Sequence, residues 1–272
     1  MQHSSRVRSL LFVPASRPDR FSKALATNAD RVILDLEDSV LPSEKAKARH
    51  DIREYLESNP KVRVLVRINS VGTSDFREDL ELCGSVPGIT GIVMPKAEKG
   101  SEIGFAAEAG KGVWPLIETA SGLLNLSDIC RAPSVERLTF GAVDLCANLR
   151  LKSGSNGARE FFNEVRMQLV LHASAHGLNA PIDTVTTEVK DLSEVRRNAS
   201  YASGMGMGGM LCIHPSQVPI ANEVFMPSQE EIAWAQRIME HAGRAGVFKL
   251  DGEMIDAPVI DRAKSILDQI NS

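Results

Sequence analysis

Two carboxylates, Glu118 and Asp144, each end a short apolar run of the chain. If these runs are neighbouring parallel strands, the two side chains lie at the same end of a sheet. Two carboxylates held side by side repel each other unless a cation lies between them. Carboxylate oxygens, completed by water and substrate oxygens, are the ligands that Mg²⁺ prefers. The pair therefore predicts a magnesium site.

Other polar residues also follow apolar runs. Charged side chains are costly in such surroundings unless they are paired or used, so their recurrence at one end of many runs indicates a functional surface. Structural roles stay open for several of them: the acidic pair can bind the arginine without touching substrate, the lysine can be structural, and the histidine can cap its strand. These residues are Glu37, Asp38, Arg67, Asn69, Lys96, Asp183 and His214.

His172 and His176 have the i, i+4 spacing that suits zinc on a helix. No third ligand is evident in the sequence, and we expect the helix on the outside of the fold, so we interpret the pair as ordinary helix surface. The cysteines lie far apart with no C-x-x-C spacing, and we predict that all four are buried free thiols. They are Cys83, Cys130, Cys146 and Cys212.

The elements that position these residues are short apolar runs separated by amphipathic segments. This alternation is typical of βαβ units and a parallel sheet. About eight units over 272 residues favour a closed (β/α)₈ TIM barrel, an α/β fold, whose chemistry lies at the carboxyl ends of the strands. An open doubly wound sheet usually has a glycine-rich loop after its first strand, and PASRPDR has none. The predicted strands are 9–14, 31–37, 62–69, 91–96, 113–119, 137–144, 180–185 and 210–215.

A C-terminal helical extension follows the last predicted strand. We predict helices over 228–246 and 256–270, with a capping box formed by Ser228 and Glu231. A hairpin around Asp251-Gly252 is predicted between them. We therefore expect a catalytic barrel over 1–225 and an extension over 226–272 that packs on the barrel or on a neighbouring subunit.

The composition excludes two classes of partner. A formal net charge of -4 and a pI near 5.9 argue against non-specific nucleic-acid binding, which needs clustered positive charge. No apolar run approaches the roughly 20 residues that span a bilayer. We expect a cytoplasmic protein with no membrane partner.

The motifs also resemble a known family. In their order and separation they are similar to the citrate lyase beta-subunit-like branch of the HpcH/HpaI aldolase family, from about residue 8 to the C-terminus. The motifs are LLFVPASRPDRFSKAL, VILDLEDSV, EKAKAR, VRINSVGT, GIVMPKAE, PLIETASGLLN, FGAVDL, LCIHPSQV and GEMIDAPVI.

The resemblance implies a TIM barrel, often a homotrimer, that cleaves or forms 3-hydroxyacyl thioesters with Mg²⁺. It implies that Glu118 of the ETA motif and Asp144 of the G-x-x-D-L motif bind the metal. It implies that Arg67 of VRIN contacts keto-acid or thioester oxygens. Many relatives carry an acidic residue just before the metal-binding aspartate, where this chain has Val143. Because valine is uncharged, the electrostatic potential around Asp144 is less negative than in those relatives.

The resemblance also gives roles to three further acids. Glu37 and Asp38 of the DLED motif support the site from behind the substrate-contacting residues. Asp256 of the MID motif can reach a neighbouring subunit's site, where it is our candidate proton carrier for the methyl group of acetyl-CoA.

A CoA thioester needs contacts for its phosphates. Arg17, Arg20 and Lys23 follow the first predicted strand at the start of a predicted helix, whose N-terminal amides favour phosphate. A plain basic helix face explains the same residues equally well, and both interpretations stay open. Lys96 is a further candidate for substrate binding.

The hypothesis is a Mg²⁺-dependent carbon–carbon lyase. It acts on citramalyl-CoA, malyl-CoA or citryl-CoA and releases acetyl-CoA and an α-keto acid, namely pyruvate, glyoxylate or oxaloacetate. The alternatives are a malyl-CoA thioesterase or malate-synthase-like enzyme, a citryl-acyl-carrier-protein lyase subunit of a citrate lyase complex, and a barrel that has lost catalysis and only binds.

Overall fold

The computed structural model describes residues 6–242, 247–250 and 252–271. Eight parallel strands form a closed barrel in sequence order, and β8 pairs with β1 to complete it. The prediction of a (β/α)₈ barrel is confirmed. The strands are β1 Ser9–Pro14, β2 Arg31–Asp35, β3 Val64–Arg67, β4 Ile89–Met94, β5 Gly112–Ile117, β6 Thr139–Phe140, β7 Ile182–Asp183 and β8 Gly209–Cys212.

Helices surround the barrel and connect its strands. The N-terminal half contains α1 Phe21–Leu25, α2 Lys45–Ser58, α3 Asp75–Ser85, α4 Gly100–Ala107, α5 Ala120–Leu124 and α6 Leu126–Arg131. The C-terminal half contains α7 Ala142–Leu149, α8 Asn156–Ala175, α9 Leu192–Gly204, α10 Val218–Val224, α11 Gln229–Ala242 and α12 Ala257–Asn271. Within the described residues, no helix is both long and apolar enough to cross a membrane.

The strands are apolar on both faces because each face meets a different core. Successive side chains of a strand point to opposite faces, so alternate residues enter the barrel and the others face the helices. Ile33 and Leu65 belong to a cluster inside the barrel, whereas Val32, Leu34 and Val66 belong to the larger cluster under the helices. This arrangement explains the nearly continuous apolar runs of the sequence.

The predicted sixth strand, 137–144, is too long. The structure ends β6 at Phe140, and Asp144 lies in the first turn of α7 rather than at a strand end. The chain leaves the sheet at Gly141, and the Ala142 amide donates a hydrogen bond to Thr184 Oγ1 at 2.9 Å. The sequence GAVDL does not reveal this change from strand to helix, because α7 packs a short apolar face against the barrel and its residues are as apolar as those of a strand.

The C-terminal segment forms a compact unit of its own. Strands β9 Phe248–Leu250 and β10 Glu253–Ile255 pair antiparallel, with Gly252 at a φ of 89°. This confirms the hairpin, although Asp251 lies outside the described residues. Ser228 and Glu231 form the predicted capping box, with reciprocal hydrogen bonds of 2.9 and 3.1 Å.

The extension lies against the base of the barrel, meaning the amino ends of its strands. Arg6 Nη1, which precedes β1, donates to the Gln269 carbonyl of α12 at 2.5 Å. A cavity of about 710 Å³ between α12 and the barrel is lined by Arg137 and Met207, among others. The division at residue 225 stays a prediction, as does contact with a neighbouring subunit.

Candidate active site at the carboxyl end of the barrel

Glu118 stands at the centre of the mouth, meaning the carboxyl ends of the barrel strands. It follows β5 directly, and only 2% of its surface is exposed. The Lys96 amide donates a hydrogen bond to Glu118 Oε2 at 3.1 Å. Lys96 adopts a left-handed φ of 49°, a backbone conformation that is unusual for a residue with a side chain. A strained backbone therefore holds one oxygen of this carboxylate.

Gly141 makes room for the other side of Glu118. A Cβ atom at Gly141 would lie 2.8 Å from Glu118 Oε1 and 2.9 Å from its Cγ, closer than side-chain carbons come in real structures. Glycine at this position is thus required by the carboxylate beside it. Asp144 lies three residues further along, half-buried in the first turn of α7.

The electrostatics of this carboxylate fit a cation. Burial, followed by the negative charges of Glu37 and Asp144, raises the pKa of Glu118 to about 8, against the opposing charges of Arg67 and Lys96. A bound cation would reverse the repulsion between Glu118 and Asp144. A hard oxygen donor set of this kind fits Mg²⁺.

Arg67 is held rigidly at the end of β3. Its Nε and Nη2 donate to the two Asp35 oxygens at 2.6 and 2.7 Å, and its guanidinium lies 5.0 Å from the centre of the Phe12 ring. Burial opposes ionisation of Asp35, but the Arg67 hydrogen bonds and charge hold the pKa of Asp35 below its ordinary value. The same contacts raise the pKa of Arg67 despite its burial. The ion pair is therefore permanently charged near neutral pH.

Glu37 joins the arginine to the lysine. Lys96 Nζ donates to Glu37 Oε1 at 2.5 Å, and Ser70 Oγ donates to the same oxygen at 3.1 Å. Its other oxygen lies 3.1 Å from Arg67 Nη1, but the angles do not make a hydrogen bond there within the described part of the chain. Burial raises the pKa of Glu37 in spite of these cations. Asp38 is more exposed and lies 3.5 Å from Arg67 Nη1.

The structure thus brings together most of the predicted mouth residues. Direct contacts connect Glu37, Asp38, Arg67, Lys96 and Glu118, and Asp144 is near enough to act on Glu118 electrostatically. Their proposed roles in binding and catalysis stay predictions.

The basic residues after β1 form no compact cradle. Arg17, Arg20 and Lys23 are exposed, and Arg17 binds Asp19 through two hydrogen bonds of 2.8 Å. The predicted helix start is a 3₁₀ turn, Pro18–Arg20, before the five-residue α1. Its proline removes one of the amides that the phosphate argument required. The position after β1 still places these residues at the mouth.

Two other predicted mouth residues have structural contacts. Asp183 points away from the barrel interior and binds Arg166 of α8 through hydrogen bonds of 2.8 and 3.1 Å. Its neighbour Ile182 occupies the inward position, which explains why the aspartate faces the helices. The His214 side chain accepts a hydrogen bond from the Ser216 amide and caps a 3₁₀ turn.

Asp256 lies apart from the mouth of its own chain. It is exposed, and its carboxylate accepts a hydrogen bond from the Val259 amide at 3.3 Å at the start of α12. Within the described residues, no hydrogen bond or ion pair connects it to Glu118, Asp144 or Arg67.

The sequence analysis missed residues that support the site. Asp35 and Phe12 hold Arg67, Ser70 contacts Glu37, and Gly141 accommodates Glu118. Strand periodicity gave a signal for Asp35, because residues two positions apart share one face. Asp35 therefore points inward with Glu37. The contacts of Phe12 and Gly141 had no such signal.

Comparison with known proteins agrees with this geometry. Residues 8–215 match the family described as HpcH/HpaI aldolase/citrate lyase. The chain is 38% identical over 262 residues to a citrate lyase subunit beta-like protein of Mycobacterium tuberculosis, covering 94% of this chain and 93% of that protein. It belongs to the HpcH/HpaI aldolase/citrate lyase family, and the prediction of a lyase is confirmed.

Two further relatives carry more specific names. The chain is 33% identical over 278 residues to a (3S)-malyl-CoA thioesterase of Cereibacter sphaeroides, covering 96% of this chain and 93% of that protein. It is 31% identical over 290 residues to the human mitochondrial citramalyl-CoA lyase, covering 95% of this chain and 84% of that protein. The family thus includes both reaction types between which the sequence left a choice.

A solved structure is similar over almost the whole chain. The protein CitE of Mycobacterium tuberculosis, in complex with magnesium, acetoacetate and coenzyme A, superposes with a TM-score of 0.83 at 35% identity. The match covers 99% of this chain and 100% of that one. The barrel and the extension therefore share one architecture with that protein.

Proposed function

We propose that this protein is a Mg²⁺-dependent carbon–carbon lyase that cleaves or forms a 3-hydroxyacyl-CoA thioester. The products of cleavage are acetyl-CoA and an α-keto acid, namely pyruvate, glyoxylate or oxaloacetate. The observation that carries the proposal is the buried Glu118 carboxylate, whose ionised form is disfavoured by the negative charges of Glu37 and Asp144. The magnesium, acetoacetate and coenzyme A bound by the similar CitE structure support it.

Glu118 and Asp144 hold the metal in this proposal. When bound, Mg²⁺ supplies Lewis-acid polarisation of the oxygens at the bond that breaks. Arg67, already oriented by Asp35, presents its guanidinium to the substrate carboxylate or to the developing enolate oxygen. Lys96 and Glu37 fix the charge pattern around that arginine, and Asp38 extends it towards solvent.

The remaining roles concern the thioester and the proton. Arg17, Arg20 and Lys23 contact phosphates of CoA at the rim of the mouth. Asp256 serves a neighbouring subunit's site and carries the proton to or from the methyl group of acetyl-CoA. This last role requires an oligomer, for which a homotrimer is our proposal.

The test is a spectrophotometric keto-acid assay with citramalyl-CoA, malyl-CoA and citryl-CoA, each with and without Mg²⁺. We expect Mg²⁺-dependent release of keto acid and acetyl-CoA from at least one ester. Glu118→Gln and Asp144→Asn should each lower turnover at least ~10³-fold, a loss typical of removing an essential electrostatic group. Calorimetric titration with Mg²⁺ should lose its binding heat in the same variants.

Glu240→Gln, which changes an exposed carboxylate of α11, is the matched control and should behave as the wild type. Mg²⁺ binding and turnover that survive both mouth substitutions would refute the assignment of the metal site.

A thioesterase is the second candidate, favoured by the malyl-CoA thioesterase relative. The products separate the two reactions, because hydrolysis releases free CoA thiol whereas cleavage releases acetyl-CoA. If citryl-acyl-carrier protein is turned over and no CoA ester is, the chain acts instead as a subunit of a citrate lyase complex.

A further inference from the structure

A cysteine and two histidines from two different helices meet on the outside of the barrel. Cys130 lies near the end of α6, and His172 and His176 lie at the end of α8. One ligand atom from each residue lies within 4.8 Å of the other two. The third ligand that the sequence lacked is therefore supplied by a different helix.

The two histidine rings are already arranged side by side. Their planes differ by 11° and their centres are 6.0 Å apart. His176 Nδ1 lies 2.9 Å from the His172 carbonyl oxygen. Because a carbonyl only accepts hydrogen bonds, this contact places the ring proton on Nδ1 and leaves Nε2 of the neutral ring as a metal ligand. A hydrogen bond from the second ring nitrogen to a carbonyl is usual for metal-binding histidines.

The environment of the cluster permits metal entry. Cys130 is buried, with 5% of its surface exposed, whereas both histidines are half-buried and reach the surface. Zinc ligands at bond lengths of about 2.0–2.3 Å lie closer together than 4.8 Å, so the three side chains need to move inward by about 1 Å. Small rotations about the side-chain bonds provide such a shift. Arg131, whose positive charge acts on His172, opposes binding.

We propose that Cys130, His172 and His176 form a zinc site that cross-links α6 and α8. Water completes the four-coordinate shell, and the Cys130 thiol loses its proton to solvent when the metal–sulfur bond forms. Zinc is favoured over magnesium because thiolate and imidazole are soft or borderline ligands.

The site lies at the base of the barrel. Helix α8 runs from the mouth towards the start of β7, and His176 is its C-terminal cap. Cys130 similarly precedes Val135, which pairs with Val113 near the start of β5. The zinc site and the mouth are therefore at opposite ends of the barrel, and its role is to stabilise the helical layer. The proposal does not depend on the proposed lyase activity.

The test begins with metal-free protein titrated with zinc alone. We expect one zinc per chain with a dissociation constant below about 1 μM, and a rise in Tm of about 5 °C at a hundredfold excess over that constant. Substitution by Co²⁺ should give a thiolate-to-cobalt absorption band in the near ultraviolet and visible bands typical of tetrahedral geometry.

Cys130→Ser and His172→Ala should each weaken zinc binding at least 100-fold, and Cys130→Ser should remove the thiolate band. Circular dichroism checks that both variants fold. Cys146→Ser and His50→Ala change one residue of each type outside the cluster and should bind zinc as the wild type does. Glu118→Gln should keep the zinc and lose the magnesium, which separates the two sites.

Two results would overturn the proposal. One is the absence of zinc binding tighter than about 10 μM in the wild type. The other is stoichiometric zinc that persists in both Cys130→Ser and His172→Ala.

Discussion

At the scale of single residues, the mouth depends on a side chain that is missing. Gly141 has no Cβ, and the space is occupied by the Glu118 carboxylate. Functional roles are usually assigned to polar groups, yet here the absence of one carbon decides where a polar group can lie. The backbone of Lys96 also positions Glu118, because its left-handed conformation directs the Lys96 amide towards that carboxylate.

Gly141→Ala should displace Glu118 while the barrel stays folded. The added carbon would lie 2.8 Å from Oε1, so the carboxylate must turn away. We expect Mg²⁺ affinity to fall about tenfold or more, equivalent to ~1.4 kcal/mol, measured by calorimetric titration. Gly104→Ala is the control, because nothing lies within 4 Å of its new carbon. Equal Mg²⁺ affinity in the two variants would contradict the steric argument.

The sequence predicted Glu118 because a carboxylate at the end of an apolar run is costly unless it is used. The sequence also indicated Asp144 as a candidate metal ligand, but it placed this residue at a strand end rather than in the first turn of a helix. The apolar residues around Asp144 suit a strand and a helix equally. It could not predict that Cys130 meets His172 and His176, because that contact is set by the packing of α6 on α8. Local patterns thus specify which groups matter, whereas packing specifies which groups meet.

At the scale of elements, one buried ion pair fastens α8 to the barrel. Asp183 of β7 faces outward and is bound by Arg166. Burial raises the pKa of Asp183 even with this partner present. Strand β7 consists of only two residues, so this pair replaces part of the backbone pairing that a longer strand provides.

Arg166→Met should destabilise the fold by about 3 kcal/mol, because it leaves a buried carboxylate without its cation. Denaturant unfolding measures this loss as a lower midpoint. The double variant Arg166→Met/Asp183→Leu removes both charges and should recover most of the stability. If the double variant is less stable than the single one, the pair is not the cause of the loss.

The pair Arg8–Asp30 gives the base of β1 a dependence on pH. Arg8 donates three hydrogen bonds to Asp30, through its amide, Nε and Nη2, at 2.7–2.9 Å. Burial opposes ionisation, but these contacts hold the pKa of Asp30 below its ordinary value. The carboxylate therefore stabilises the folded state above the unfolded pKa of about 3.9, and this contribution is lost as pH falls through the lower folded pKa.

Asp30→Asn should lower the free energy of unfolding by about 1–2 kcal/mol at pH 6. The difference from the wild type should shrink below about pH 4, where the unfolded chain takes up the proton, and should vanish as pH falls through the lower folded pKa. Urea unfolding at several pH values measures it, with Glu240→Gln, which changes an exposed carboxylate of α11, as the surface control. A difference that is constant across this range would refute the role of ionisation.

The eight strands were predicted correctly in number and order because each is apolar on both faces. Their ends were not, and every predicted strand except the first extends past the last residue of the observed strand. Beyond the ends of β2 and β3, single backbone hydrogen bonds still join Leu36 to Arg67 and Ile68 to Val93, but the regular ladder has ended. Cys146 is half-buried rather than buried, whereas the other three cysteines are buried free thiols as predicted.

At the scale of the whole molecule, the chain separates its tasks between the two ends of the barrel. The charged residues of the mouth lie at the carboxyl ends, and the extension covers part of the base. Asp256 is exposed at the start of α12, where it has no described contact with its own mouth. This separation is consistent with our proposal that it acts in a neighbouring subunit. A cytoplasmic location stays a prediction.

Mixing two inactive variants tests this proposal. Glu118→Gln keeps Asp256, and Asp256→Asn keeps Glu118, so a mixed oligomer rebuilds some complete sites. If a site combines two subunits, random exchange should restore about a quarter of the wild-type activity. Light scattering of the mixture measures the oligomeric state. Mixtures that stay as inactive as their parents, after exchange is verified, would exclude a shared site.

The extent of strand pairing differs around the circumference of the barrel. Strands β1 and β2 run side by side from Leu10 to Pro14, whereas a single register pair, Thr139 opposite Ile182, joins β6 to β7. Fluctuations that open the ring should begin at this seam, and its amides should exchange with deuterated solvent before those of β1 and β2. Glu118 follows β5 and Asp144 follows β6, so a cation bound by both would link the ends of these two strands beside that seam. The metal that serves the chemistry would then also brace the barrel next to its weakest strand pairing.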